Sequence, residues 1–108
     1  MKKTIETINF EADAALIDHV EELFDELPKF HDGIHSADVY LKRHEQKAEN
    51  KFEVEVKVFL PGHEVYSEAD GESINDAAKR VIAKAKRQLR ELKDSDKSRH
   101  QPRPDKPI

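Results

Sequence analysis

The residues best able to act on a partner are cations crowded into one stretch. Between Ser73 and Lys93 the chain carries Lys79, Arg80, Lys84, Lys86, Arg87, Arg90 and Lys93 against only Asp76 and Glu91. At about 100° per residue, Lys79, Lys86, Arg90 and Lys93 share one flank of a helix, and Arg80, Lys84 and Arg87 share the other. From Lys79 to Lys93 this ridge runs roughly 21 Å at 1.5 Å per residue. That length can follow several phosphates, whose counterions are released when lysine and arginine replace them. The excess is too lopsided for i,i+4 pairing to absorb. Two readings stand: the ridge binds nucleic acid or another polyanion, or it is a solvated face. An acidic helix elsewhere in the chain can neutralise part of it through surface pairs of about 0–1 kcal/mol each.

Other chemistry is sparse. Of the six histidines only His31 and His35 are close, in FHDGIH. A zinc site there needs further ligands, so His31 reads as a turn residue and His35 as an exposed strand residue. Tyr40, Phe59 and Tyr66 fall on one sheet face. Aromatics on an open sheet can stack bases, but Asp38, Glu53, Glu55, Glu64 and Glu68 share that face and repel phosphate. Cross-strand packing is the plainer reading. No Gly-rich phosphate loop, G-x-S-x-G or Ser-His-Asp spacing occurs, and the chain has no cysteine, which excludes thiolate zinc and a Cys nucleophile. The expectation is a non-enzyme with no catalytic residues, metal, cofactor or small-molecule substrate. No run is long and apolar enough for a membrane span, and MKKTIETINF lacks a signal-peptide core, so the expected location is cytoplasmic, with no membrane partner.

The elements that must position the ridge follow from periodicity. Lys3 to Phe10 reads as a first strand. Asp13 is an N-cap, after which Leu16, Val20, Leu23, Phe24 and Leu27 form one helical face. The opposite face holds Asp18, Glu21, Glu22, Asp25 and Glu26, and Pro28 ends the helix or tightens its last turn. Ala37, Val39 and Leu41 alternate with polar residues, as do Phe52, Val54, Val56, Val58 and Leu60. Pro61-Gly62 signals a hairpin, and Val65, Ser67 and Ala69 continue the inner face of a fourth strand. Ser73 and Asp76 resemble a capping box. Ile74, Ala77, Ala78, Val81, Ile82, Ala85, Leu89 and Leu92 then make the apolar stripe beneath the cations. The order is β-α-β-β-β-α. An α+β domain over residues 1–93 is expected, with a four-stranded sheet and both helices packed on one face. Strands 1 and 2 are parallel if adjacent. From Asp94 the pattern stops, and residues 94–108, with three prolines, read as a disordered tail.

The net charge of −4 hides this division. Residues 1–72 hold 8 Lys and Arg against 18 Asp and Glu, whereas residues 73–108 hold 11 against 5. One helix is therefore acidic outside and the other basic.

Over about residues 3 to 93 the chain resembles the ribosome hibernation-promoting factors, also called ribosome-associated translation inhibitors, in their short form. The matching stretches are NFEADAALIDHVE, then Ile34 with Ser36 to Leu41, then FEVEVKVFLPG, GESINDA and KAKRQLRELK. The resemblance implies binding to the small ribosomal subunit and its rRNA, in the channel of messenger and transfer RNA. Translation then stops by steric occlusion, in stress or stationary phase, with the factor monomeric off the ribosome. It implies RNA contacts for Lys84 and Arg87 in the K-x-x-R-Q-L run, for Arg90 and Lys93 beyond it, and for Lys29 beside Phe30. Lys79 and Lys86 join them from the helical projection. The chain departs from the family's pattern at Ile8, Leu23, Glu26, Asn75 and Glu91. The first two helix departures remove cations usual late in helix 1, which concentrates binding on helix 2. The short form is expected, without the separate C-terminal dimerisation domain of long members. The alternative is a module that binds an acidic protein partner through the same helix.

Overall fold

The computed structural model describes residues 1–100, with side chains to residue 94. The strands are β1 (Lys2–Ile8), β2 (Ser36–Arg43), β3 (Phe52–Leu60) and β4 (His63–Gly71). The helices are α1 (Ala14–Phe24) and α2 (Ile74–His100), with a single 3-10 turn at Leu27–Lys29. The sheet order is β1-β2-β3-β4, with β1 parallel to β2 and the other pairs antiparallel. Parallel pairing requires a crossover, and α1 supplies it. The fold is thus the βαβββα, α+β arrangement that the periodicity implies.

Alternation decides which face is buried. Ala37, Val39, Leu41, Val54, Val56 and Val58 are fully buried, as are Val20 and Phe24 of α1 and Ala77, Ala78, Val81, Ala85 and Leu89 of α2. They form a single core cluster, so both helices lie on one side of the sheet. Ser67 is the one buried polar residue among those described, and Gln88 Nε2 donates to its hydroxyl at 2.8 Å. That bond meets the requirement that a buried polar group be paired. Asp13 caps α1 by accepting from the Leu16 amide at 2.8 Å.

Local chemistry accounts for the boundaries. β1 stops at Ile8, short of Phe10, because Asn9 takes a left-handed φ of 67°. Phe10 leaves the sheet and packs edge-to-face on Phe52, with centroids 6.0 Å apart. The apolar stripe of helix 1 reaches Leu27, but the α-helix ends at Phe24. Pro28, which cannot donate, tightens the chain into the 3-10 turn and keeps Leu27 fully buried. The β3–β4 hairpin closes through Pro61 and Gly62 alone, with Leu60 opposite His63. Gly62 has φ of 75°, the conformation required after a proline in a type II turn. The backbone of α2 continues past Lys93 to His100, since no proline or glycine interrupts it before Pro102. Its last seven residues, 94–100, therefore extend into the stretch read as a tail, and residues 101–108 lie outside the described residues.

Gly71 marks a close approach of sheet to helix. A Cβ at that position would lie 2.6 Å from the Ala77 amide nitrogen and 2.9 Å from Asp76 Cβ. Backbone cannot yield as a flexible side chain does. Gly71→Ala is expected to cost about 1–3 kcal/mol, read as a lower urea midpoint with an unchanged slope; an unchanged midpoint would contradict this packing.

Candidate nucleic-acid interface

Ser73 sets the phase of α2. Its hydroxyl accepts from the Asp76 amide at 3.1 Å. With the apolar stripe turned to the sheet, Lys79, Arg80, Lys84, Arg87, Arg90 and Lys93 are exposed and Lys86 is half-buried. The two flanks then meet different surroundings.

One flank runs along β4. Arg80 Nη1 donates to the Asp70 carbonyl at 3.0 Å, and Lys84 Nζ donates to the Glu68 carbonyl at 2.8 Å. A carbonyl holds a cation in place without cancelling its charge. These contacts also occupy polar groups of an edge strand that would otherwise be open to another chain. Arg87 stands exposed beside them, with no partner among the described residues.

The other flank meets the end of α1. Lys86 Nζ lies 3.1 Å from Glu26 Oε2 and 4.9 Å from the centroid of the Phe30 ring. The Arg90 guanidinium carbon is 5.9 Å from the same centroid. Lys86, by hydrogen bond and charge, and Lys29, by charge, hold the Glu26 carboxyl below its ordinary value. Lys29 is exposed at the end of the 3-10 turn, next to Phe30. Two cations of α2 thus meet one aromatic ring from a distant segment, with Lys29 next to that ring in sequence, each cation–π contact contributing about 0.5–1 kcal/mol at an exposed site. Lys79 opens onto the cleft between the helices, with Leu23 and Glu26. Lys93 is exposed on the turn beyond Arg90.

Neutralisation by α1 is therefore slight. Among the described residues, Glu26, two residues past the end of α1, makes the one ion pair between that segment and α2, and the polar contact between the helices themselves is His19 Nε2 to Asn75 Oδ1, at 2.7 Å. Asp25 pairs with Lys3 of β1 instead.

The open sheet face is a different environment. Glu53, Glu55 and Glu68 bring carboxylate oxygens within 4.8 Å of one another. His44 bonds Glu53, Lys42 bonds Glu55, and the Tyr66 hydroxyl donates to Glu68. The hydrogen bond that Lys42 donates to Glu55 raises the Lys42 ammonium, and burial, then Glu68 and Glu55, push the Tyr66 phenol up. These groups satisfy one another and would repel a phosphate chain. His31 Nδ1 accepts from the Gly33 amide at 2.9 Å, the turn role its spacing implies. His35 is exposed and lies one residue before β2.

A family model described as Sigma 54 modulation protein / S30EA ribosomal protein matches residues 4–97. The chain belongs to this family. Two solved structures of S30EA-like fold resemble this chain. The N-terminal domain of Protein Y from Thermus thermophilus is 29% identical, with a TM-score of 0.70 over 85% of this chain and 99% of that one. A ribosomal subunit interface protein from Coxiella burnetii is 19% identical, with a TM-score of 0.74 over 86% and 98%, and supports the fold. No curated protein matches by sequence. As the membrane-span reading expects, none of the described helices is long and apolar enough to cross a membrane.

The structure leaves Lys84 and Arg87 on the flank opposite Lys86 and Arg90, as the helical projection has them, and adds to the second flank the Phe30 ring, whose neighbour in sequence is Lys29. The role of Phe30 as the ring beneath Lys86 and Arg90 carries no signal in sequence, because the contact joins segments separated by three strands.

Proposed function

We propose that this S30EA-family chain binds the small ribosomal subunit and its rRNA in the messenger and transfer RNA channel, and inhibits translation by occupying it. The observation that carries the reading is the outward row of cations on α2, continued across Phe30 to Lys29. Family membership and the likeness to the Protein Y domain support ribosome association. Lys84, Arg87, Arg90, Lys93 and Lys29 face phosphates, with Lys79 and Lys86 as the flank nearer α1. The action is steric, in the cytoplasm, during stress or stationary phase, with no bond made or broken. Off the ribosome the chain is monomeric.

Lys84 and Lys86 are not equivalent in this reading. Lys84 rests on a carbonyl and keeps its whole charge, whereas Lys86 is shared with Glu26. Glu26→Gln is expected to tighten ribosome binding roughly two- to fivefold, the scale of a surface ion pair. Weaker binding in equilibrium titration would show that Glu26 supports the contact instead.

The test is competition on purified small subunits. The protein is expected to displace transfer RNA, with log K falling against log salt at a slope of roughly −3 for about four phosphates. Simultaneous binding of both ligands, or a flat salt dependence, would contradict occlusion through phosphate contacts. A complex that survives nuclease would favour an acidic protein partner on the same helix.

A further inference from the structure

A cleft of about 410 Å³ opens where the first turns of α1 and α2 meet the chain leaving β1. Its floor is Phe10, Leu16, Phe52 and Ile74. Ile74 is buried and the other three are half-buried, so the floor is apolar and incompletely covered. The rim is acidic. Glu11 and Asp13 line the cleft, Glu72 and Asp76 flank it in sequence, and all four are exposed. No lysine or arginine lines it. Arg43 stacks over Phe52 at 5.9 Å and pairs with Glu45 at 3.5 Å.

Two helix N-termini would ordinarily invite an anion here. Each contributes about half a positive charge, together roughly +1, and the two carboxylates that line the cleft, Glu11 and Asp13, outweigh them. A phosphate chain is therefore repelled from this end, while an aliphatic or aromatic group with cationic neighbours meets complementary charge and an apolar floor. The cleft lies about 24 Å along α2 from Arg90, measured from Ile74 at 1.5 Å per residue.

We infer that this cleft docks a Lys/Arg-rich protein segment through one apolar anchor side chain, at a contact separate from the RNA face. That the segment belongs to a ribosomal protein rests on the proposed function; the chemistry of the cleft does not. On the ribosome, the contact makes this end of the domain a protein-facing end and α2 the RNA-facing ridge.

The first test needs no ribosome. The full chain is titrated, at low salt and by methyl NMR, with a short Lys/Arg peptide bearing one central Leu, and with the same peptide bearing Ser instead. The Leu peptide is expected to shift the Leu16 and Ile74 methyls and to bind at least about fivefold tighter than the Ser peptide. Glu11→Lys with Glu72→Lys should abolish the shifts without lowering the melting temperature. Equal affinity for both peptides, or shifts confined to α2 cations or to the acidic open sheet face, would overturn the inference. The second test places a photo-crosslinking benzoylphenylalanine at position Ala12 and irradiates the chain on purified small subunits. An adduct to a basic segment of a ribosomal protein is expected. An adduct to RNA or to a second copy of the chain, or none from a complex that co-sediments, would contradict it. Failure to co-sediment would instead remove the ribosomal reading and leave the peptide result to decide the cleft.

Discussion

Replacing Lys84 and Arg87 together by glutamate is expected to weaken binding to the small ribosomal subunit by about 3 kcal/mol, on the order of a hundredfold. Each side chain stands for one charge-assisted contact of about 1.5 kcal/mol or more, and reversal adds repulsion to the loss. Lys84 is held by the Glu68 carbonyl and Arg87 is exposed beside it, so neither spends its charge on a carboxylate among the described residues. The control is Lys57→Glu, on the opposite sheet face across from Tyr66. It should change affinity by less than about threefold, because that face is acidic and turned away from α2. Melting temperatures of both variants separate lost contact from lost fold. Equal weakening by the two variants would mean that net charge, rather than the α2 ridge, governs association.

The second large effect is on stability. Phe24→Ala is expected to cost about 3–5 kcal/mol, a substantial part of the roughly 5–15 kcal/mol that holds a domain together. Phe24 is fully buried in the last turn of α1, within the core shared by both helices and the sheet. The chain then passes directly into the 3-10 turn that ends in Lys29 and places Phe30 under Lys86 and Arg90. Truncation should therefore loosen the Lys29–Phe30 corner as well as lower the denaturation midpoint. Phe24→Leu, which conserves most of the volume, should recover most of the stability. A Phe24→Ala protein that melts like the parent would show that α1 does not depend on this anchor.

The parts of the fold legible in sequence were those with a strong period. Val54 to Leu60 could sit only as a half-buried strand, and Ile74 to Leu92 only as a helix with its cations outward. The two-residue Pro61-Gly62 loop fixed the hairpin because each residue has one suitable backbone conformation there. The break between Phe24 and Leu27 was hidden, since the 3-10 turn keeps Leu27 inward and preserves the apolar spacing. Phe10 was hidden for a related reason: it is apolar in either setting, and only the positive φ of Asn9 takes it out of the strand. At the candidate interface the cations were legible, but their surroundings were not. Arg80 and Lys84 contact backbone carbonyls, which leave no mark on residue type. The pairing of Lys86 with Glu26 over Phe30 depends on how the helices are placed side by side. The apolar cleft between the helix starts is likewise a product of packing.

The claim that binds these observations is that α2 presents an RNA-facing ridge to the ribosome. Co-sedimentation with vacant ribosomes and with purified small subunits, at low salt and again at high salt, tests it most directly. The account predicts that the protein pellets with both at low salt and is released as salt rises. Protein remaining in the supernatant with both particles at low salt would contradict it.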